Sequence, residues 1–158
     1  MVSSRGNNHK ECRALIGEMY QIHINIITFY THEVLTLHED GTVDIIDSTQ
    51  NGVDPTGKVV YPPFTHLIGV WRCVGKNKVE LRFGAYNLKV PDSKAPGSLG
   101  INFMGLTFTD DGEKLTGTTK YSNYELGINP TKPGAKPLPG ETYGPYTISG
   151  DRLDFYKQ

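Results

Sequence analysis

The sequence predicts an all-β protein, an antiparallel up-and-down barrel of about eight strands. Three observations carry this. The 18 Gly and 10 Pro of the 158 residues are spread along the whole chain, as many short strands joined by turns require. Runs rich in β-branched and aromatic residues recur between them. Two pairs of runs are joined by Asp-Gly turns, "EDG" at 39–41 and "DDG" at 110–112, which favour hairpins. Consecutive hairpins leave exposed sheet edges unless the sheet closes, and at about eight strands closure removes them. A two-sheet sandwich is the other architecture this pattern allows.

The elements follow in order. Residues 1–10 are polar and read as a disordered leader, with 11–158 as a single barrel domain. "RALIGEMYQIHI" (13–24) has the apolar spacing of a short helix, but Gly17 and the β-branched residues near Ile22 favour a strand. "IITFYTHEVLTLH" (26–38) and "TVDIIDS" (42–48) are strands about the first Asp-Gly turn. Residues 49–66, with three Pro and two Gly, form a long excursion. "IGVWRCV" and "KVELRFGAYNLKV" are strands joined by Gly75-Lys76-Asn77, and "LGINFMGLTFT" and "KLTGTTKYSNYEL" are a hairpin about the second Asp-Gly turn. "NPTKPGAKPLPGETYGP" is too proline-rich for an interior strand. "YTISGDRLDFYKQ" supplies the last strand or strand pair.

The order "LTLHEDGTVDIIDS", a Gly/Pro-rich excursion, "GVWRCVGKNKVELRF", a further strand, then "LTFTDDGEKLTGT" resembles small lipocalin-like barrels, the calycins and allene oxide cyclase-type proteins. The resemblance covers roughly residues 27–121. It implies a barrel that holds a small hydrophobic molecule. In the cyclase-type members it implies cofactor-independent isomerisation or cyclisation, and in the lipocalins non-catalytic carriage. The Gly-x-Trp of Gly69 and Trp71 belongs to it. Gly69 permits close backbone approach, and Trp71 fills one end of the barrel, its indole seeking a polar partner and a cation to stack on it. Arg152 on the last strand is the candidate.

The first hairpin can be registered from sequence. If Glu39-Asp40-Gly41 is a three-residue loop, Leu37 faces Val43, Leu35 faces Ile45, and Glu33 faces Asp47. The apolar pairs mark the interior, so Glu33 and Asp47 point inward beside one another, and Phe29 and Thr31 continue that face. Two carboxyls in an apolar barrel repel and are desolvated, which raises at least one pKa and suits an acid–base pair. They are the catalytic candidates. Arg82 would pair with them if its parity is inward. Phe29, Thr31, Leu35, Trp71, Arg82, Tyr86, Tyr121 and Asn123 are candidate ligand contacts. The second hairpin leaves its facing open. A three-residue loop at 110–112 sets Leu115 opposite Thr107, Gly117 opposite Gly105 and Tyr121 opposite Ile101. Met104, Leu106 and Phe108 then face outward, where such a stripe would suit a homodimer.

Other classes are disfavoured. The formal net charge of −1, from 16 basic and 17 acidic residues, provides no basic face for nucleic acid. No run approaches the roughly 18 apolar residues of a membrane span. The five His (9, 23, 32, 38 and 66) show no zinc spacing, and "GSLGINFMG" does not lead from a strand into a helix as a nucleotide loop would. No metal or cofactor is expected. Without a visible secretory signal, Cys12 and Cys73 read as free thiols in a cytoplasmic protein, bonded only if the chain is a trimmed secreted one. The function expected is cofactor-independent isomerisation or cyclisation of a hydrophobic small molecule, with non-catalytic carriage as the alternative.

Overall fold

The computed structural model describes residues 9–156; most of the expected leader, residues 1–8, lies outside the described residues. Eight strands, β1 (Met19–Asn25), β2 (Tyr30–Leu37), β3 (Thr42–Asp47), β4 (Leu67–Gly75), β5 (Lys78–Asn87), β6 (Ser98–Phe108), β7 (Lys114–Glu125) and β8 (Thr142–Arg152), follow a 3-10 helix at His9–Leu15. Each strand pairs antiparallel with the next, and β1 pairs with β8 to close the barrel. The expected all-β up-and-down architecture is the one observed.

The 3-10 helix corrects the reading of 13–24 as strand throughout. Arg13–Leu15 complete the helix, and only from Met19 does the chain pair with β2 and β8. The helix plugs the lower end of the barrel, with Cys12 and Leu15 fully buried. Cys12 is disulfide-bonded to Cys73 of β4. This overturns the free-thiol reading: the plug brings Cys12, far off in sequence, against a strand whose partner residue no local pattern could reveal.

The two hairpins show how one residue decides a face. In the first, Leu37 pairs with Val43, Leu35 with Ile45 and Glu33 with Asp47, as the three-residue loop predicts. In the second, Thr109 and Lys114 still share a hydrogen bond, so the loop is one residue longer. Leu115 pairs with Phe108, Gly117 with Leu106 and Tyr121 with Asn102, each one position from the expected partner. That shift turns Met104, Leu106, Phe108 and Leu115 into the core together and removes the outward stripe on which a homodimer would have rested. β8 starts earlier than expected, at Thr142. Pro145 is accommodated because the β7–β8 ladder is irregular between Thr119 and Tyr121, where a missing N–H breaks no regular pairing.

Trp71, 2% exposed, sits at the plugged end. Its Nε1–H donates to the His38 carbonyl at 2.8 Å, and its ring stacks on His9 at 4.2 Å. Arg152 is not its partner: the guanidinium binds Glu113 at 2.6 Å and approaches Asp154 at 3.6 Å. The short connections 38–41, 76–77 and 109–113 gather at this end, and the long ones, 48–66, 88–97 and 126–141, at the other. Among the described residues no helix is long and apolar enough to cross a membrane.

Candidate functional site

The barrel is filled at its plugged end and hollow at its loop end, and side-chain size explains the difference. Towards the plug the inward rows carry Trp71, Leu37, Val43, Ile45, Leu81, Leu106 and Phe108, all buried. Towards the loops β5 and β6 turn small residues inward. Ala85 pairs with Gly100 and Asn87 with Ser98. The space they leave is a cavity of about 210 Å³. Its walls include Ile24, Thr31 and Glu33 from β1 and β2, Ile26 from the turn between them, Asp47, Asn102, Tyr121 and Asn123 from other strands, and Tyr143 and Tyr146 from β8. Tyr61, Pro62 and Phe64 from the first long loop, with Ala95, Pro96 and Glu141, complete it.

Glu33 is 5% exposed. Burial, then the charge of Asp47 and a hydrogen bond shared with it, push its carboxyl well above the usual range. As a carboxylate it would leave Oε2 buried without a donor. With its proton it becomes the donor and Asp47 the acceptor, which removes that penalty. Asp47 is fixed from its other side. Its Oδ1 accepts from Thr31 Oγ1 at 2.7 Å, from the Thr49 N–H at 2.7 Å and from Thr49 Oγ1 at 2.6 Å. Both threonine protons are thus committed, so the hydroxyl pair Tyr61–Thr49 is made with Tyr61 as donor. A hydrogen-bonded chain runs from the Tyr61 phenol through Thr49 to Asp47, which stands opposite Glu33 on the paired strand. The phenol of Tyr61 is itself held protonated by burial.

A second polar group crowns the opposite wall. Asn87 Nδ2 donates to Ser98 Oγ and to Asn123 Oδ1, each at 2.9 Å, and Asn123 Nδ2 reaches Glu141 Oε1 at 3.4 Å. Gly100 makes this possible, since a Cβ there would crowd Asn123 Oδ1 and Asn87 Nδ2. Tyr121 stacks on Tyr143 with ring centroids 4.8 Å apart, and burial raises the pKa of its phenol. Burial raises that of Tyr146 as well. The cavity therefore offers aromatic walls, neutral phenols and amides, and an acid pair.

Of the residues singled out from sequence, Glu33, Asp47, Thr31, Tyr121 and Asn123 line this cavity. Phe29 is not among the lining residues; it is half-buried, its ring centroid 6.1 Å from that of Tyr61. Leu35 and Trp71 belong to the filled end. Arg82 and Tyr86 are on the outer face, because β5 turns Leu81, Phe83 and Ala85 inward instead; Arg82 lies over the Phe103 ring and does not pair with the acids. His32 contacts His23, Nδ1 to Nδ1 at 2.6 Å, and His38 binds Asp44 at 2.7 Å, both away from the cavity. Among the described residues no three His, Cys, Asp or Glu gather as a metal site would need. Sequence reasoning missed Thr49, Tyr61, Asn87, Asn102, Glu141, Tyr143 and Tyr146. The alternation along "GAYNL" could have found Asn87, once Phe83 and Ala85 are taken as inward; the residues on long loops carry no such signal.

Fold and site together define a closed eight-stranded antiparallel barrel with one plugged end and one polar, aromatic cavity beneath long loops. Comparison with protein-family models, with curated proteins and with solved structures gives no match.

Proposed function

We propose that the barrel is a cofactor-independent isomerase or cyclase acting on one small hydrophobic molecule held in the loop-end cavity. The observation that carries this is the Glu33–Asp47 pair, one carboxyl kept protonated by burial and the other aligned as its partner. Groups of the same kind with environments that push them apart are what acid–base catalysis uses. Glu33 donates its proton to a developing oxygen or unsaturated centre. Asp47 removes a proton from another centre of the substrate and returns it to Glu33 across the pair, which restores the starting state. The walls confine a flexible molecule to one conformer and exclude water, as a cyclisation requires. The cavity is smaller than the roughly 300–1,000 Å³ of drug-sized sites, so the substrate is small. Likeness of the hairpin order to allene oxide cyclase-type barrels supports the same reading.

Carriage without chemistry is the second reading. It is favoured by one observation, that Asp47 Oδ1 is saturated by Thr31 and Thr49, which would make the acid pair a clasp for the 48–66 loop. The test is a panel of small unsaturated carbonyl compounds and epoxides followed by NMR in deuterated water. Product formation or deuterium uptake with the native protein, lost in Glu33→Gln while binding persists, supports the enzyme. Binding without turnover across the panel in both proteins overturns it in favour of the carrier. The Cys12–Cys73 disulfide supports an oxidising compartment in place of the cytoplasm expected from free thiols.

A further inference from the structure

We infer that the molecule this cavity takes carries a positive charge, a small organic ammonium on an apolar body, and that the site rejects carboxylates and phosphates. The inference rests on the cavity being the ligand site, and adds the chemical class. Every ionisable group on its wall is an acid or a phenol: Glu33, Asp47 and Glu141 with the tyrosines. No Lys, Arg or His is among the lining residues. Arg82, the cation expected beside the acid pair, lies on the outer surface over Phe103.

An anion entering here would meet the buried Glu33 and the half-buried Asp47 and Glu141 with no compensating charge, at a cost that rises as water leaves. An ammonium supplies what the walls lack. Its N–H groups are donors for carboxyl oxygens, and Glu33 Oε2, which has no donor among the walls once Glu33 is ionised, gains one. The aromatic surfaces of Tyr61, Tyr121 and Tyr143 attract a cation through their electron-rich faces, and a neutral phenol adds an acceptor oxygen. The groups facing Glu33 are Asp47 from β3 and Tyr61 from the long loop, while β1 presents Ile22 opposite it. A cation bound beside this acid pair favours its fully ionised form, so binding makes the Glu33 proton easier to give up, to the acceptor centre of a reactive substrate or, with an unreactive probe, to solvent.

The test is calorimetric titration of the intact protein at neutral pH with three probes of similar size: 2-phenylethylammonium, 3-phenylpropan-1-ol and 3-phenylpropanoate. Each is run in two buffers of different ionisation enthalpy. The ammonium should bind at least about tenfold more tightly than the alcohol, with a buffer-dependent heat that reports proton release, and the propanoate should not bind. Asp47→Asn keeps the Oδ1 acceptor for Thr31 and Thr49. It should weaken the ammonium about tenfold and leave the alcohol unchanged, and Glu33→Gln should abolish the buffer dependence. Equal binding of ammonium and alcohol, with no proton release, overturns the cation while leaving the cavity as ligand site. Ammonium binding that survives both Asp47→Asn and obstruction of the cavity by Ala85→Leu shows a site elsewhere and overturns the inference. Absence of binding by all three probes overturns both the inference and the cavity reading.

Discussion

Glu33 and Asp47 stand directly opposite one another on β2 and β3, and Thr31 and Thr49 hold Asp47 in place from its far side. The pair lies where the apolar filling of the barrel gives way to the cavity. Below it Leu35 and Ile45 are fully buried partners on the same face.

The first prediction follows from that contact. Because the Glu33 carboxyl is raised in the folded protein, its contribution to stability is complete below the unfolded carboxyl value, near about 4.3. It is lost as pH rises through the raised value, since the unfolded chain ionises freely while the folded one resists. Each pH unit between the two values costs about 1.4 kcal/mol. Glu33→Gln, which keeps a donor for Asp47, should therefore raise the denaturation midpoint at pH 7–8 and leave it nearly unchanged at pH 4. Urea unfolding across that range checks this, and a native protein whose stability does not fall between those pH values would sink the raised carboxyl.

The second concerns the Gly-x-Trp. A Cβ on Gly69 would collide with the Arg82 carbonyl oxygen and with Phe83 on the paired strand. The two residues thus serve different ends, Gly69 the β4–β5 approach and Trp71 the plugged core. Gly69→Ala should cost about 1–3 kcal/mol and Trp71→Ala about 3–5 kcal/mol. Native Trp71 fluorescence should be blue-shifted and resist iodide. Iodide quenching as efficient as that of free tryptophan would place the indole outside.

The third concerns the plug. The Cys12–Cys73 bond ties the 3-10 helix across 61 residues to β4. Removing such a cross-link typically costs about 2–4 kcal/mol, so reduction, or the Cys12→Ser/Cys73→Ser double variant, should lower Tm by about 5–15 °C. The native protein should resist alkylation until reduced. Ready modification of both thiols without reductant would contradict the bond.

The legibility of the sequence varied with locality. Where a loop contained a defined turn and an apolar pattern on both sides, as around Gly41, register and the facing of Glu33 and Asp47 were readable. Around Gly112 the same kind of turn misleads, because the pair Thr109–Lys114 closes a loop that takes in Glu113 as a fourth residue and one residue reverses every facing. For Arg82 and Tyr86 the sequence offers chemical suitability but no register, and β5 turns both outside. Tyr61 and Thr49 reach the site through an irregular excursion whose path depends on tertiary contacts such as Phe64 with Asn87. The disulfide joins two elements distant in sequence, and periodicity carries no information at that range.

The last prediction tests whether the hollow end is the working end. Ala85 and Gly100 are inward partners whose small size opens the cavity. Ala85→Leu adds three carbons to that wall. Burial of each is worth about 0.8 kcal/mol, set against about 1–3 kcal/mol if the surrounding tyrosines are crowded. The two effects nearly cancel, so the variant should fold with a Tm within a few degrees of the native protein. Its substituent occupies volume that a ligand needs, in a cavity of about 210 Å³, and ligand binding and turnover should both fall by at least about a hundredfold, equivalent to about 2.8 kcal/mol. A matched outer-face change, Arg82→Leu on the same strand, should leave binding and turnover as they are. If Ala85→Leu folds and retains native binding while Arg82→Leu loses it, the ligand site lies on the outer face over Phe103, and the acid pair inside serves the fold alone.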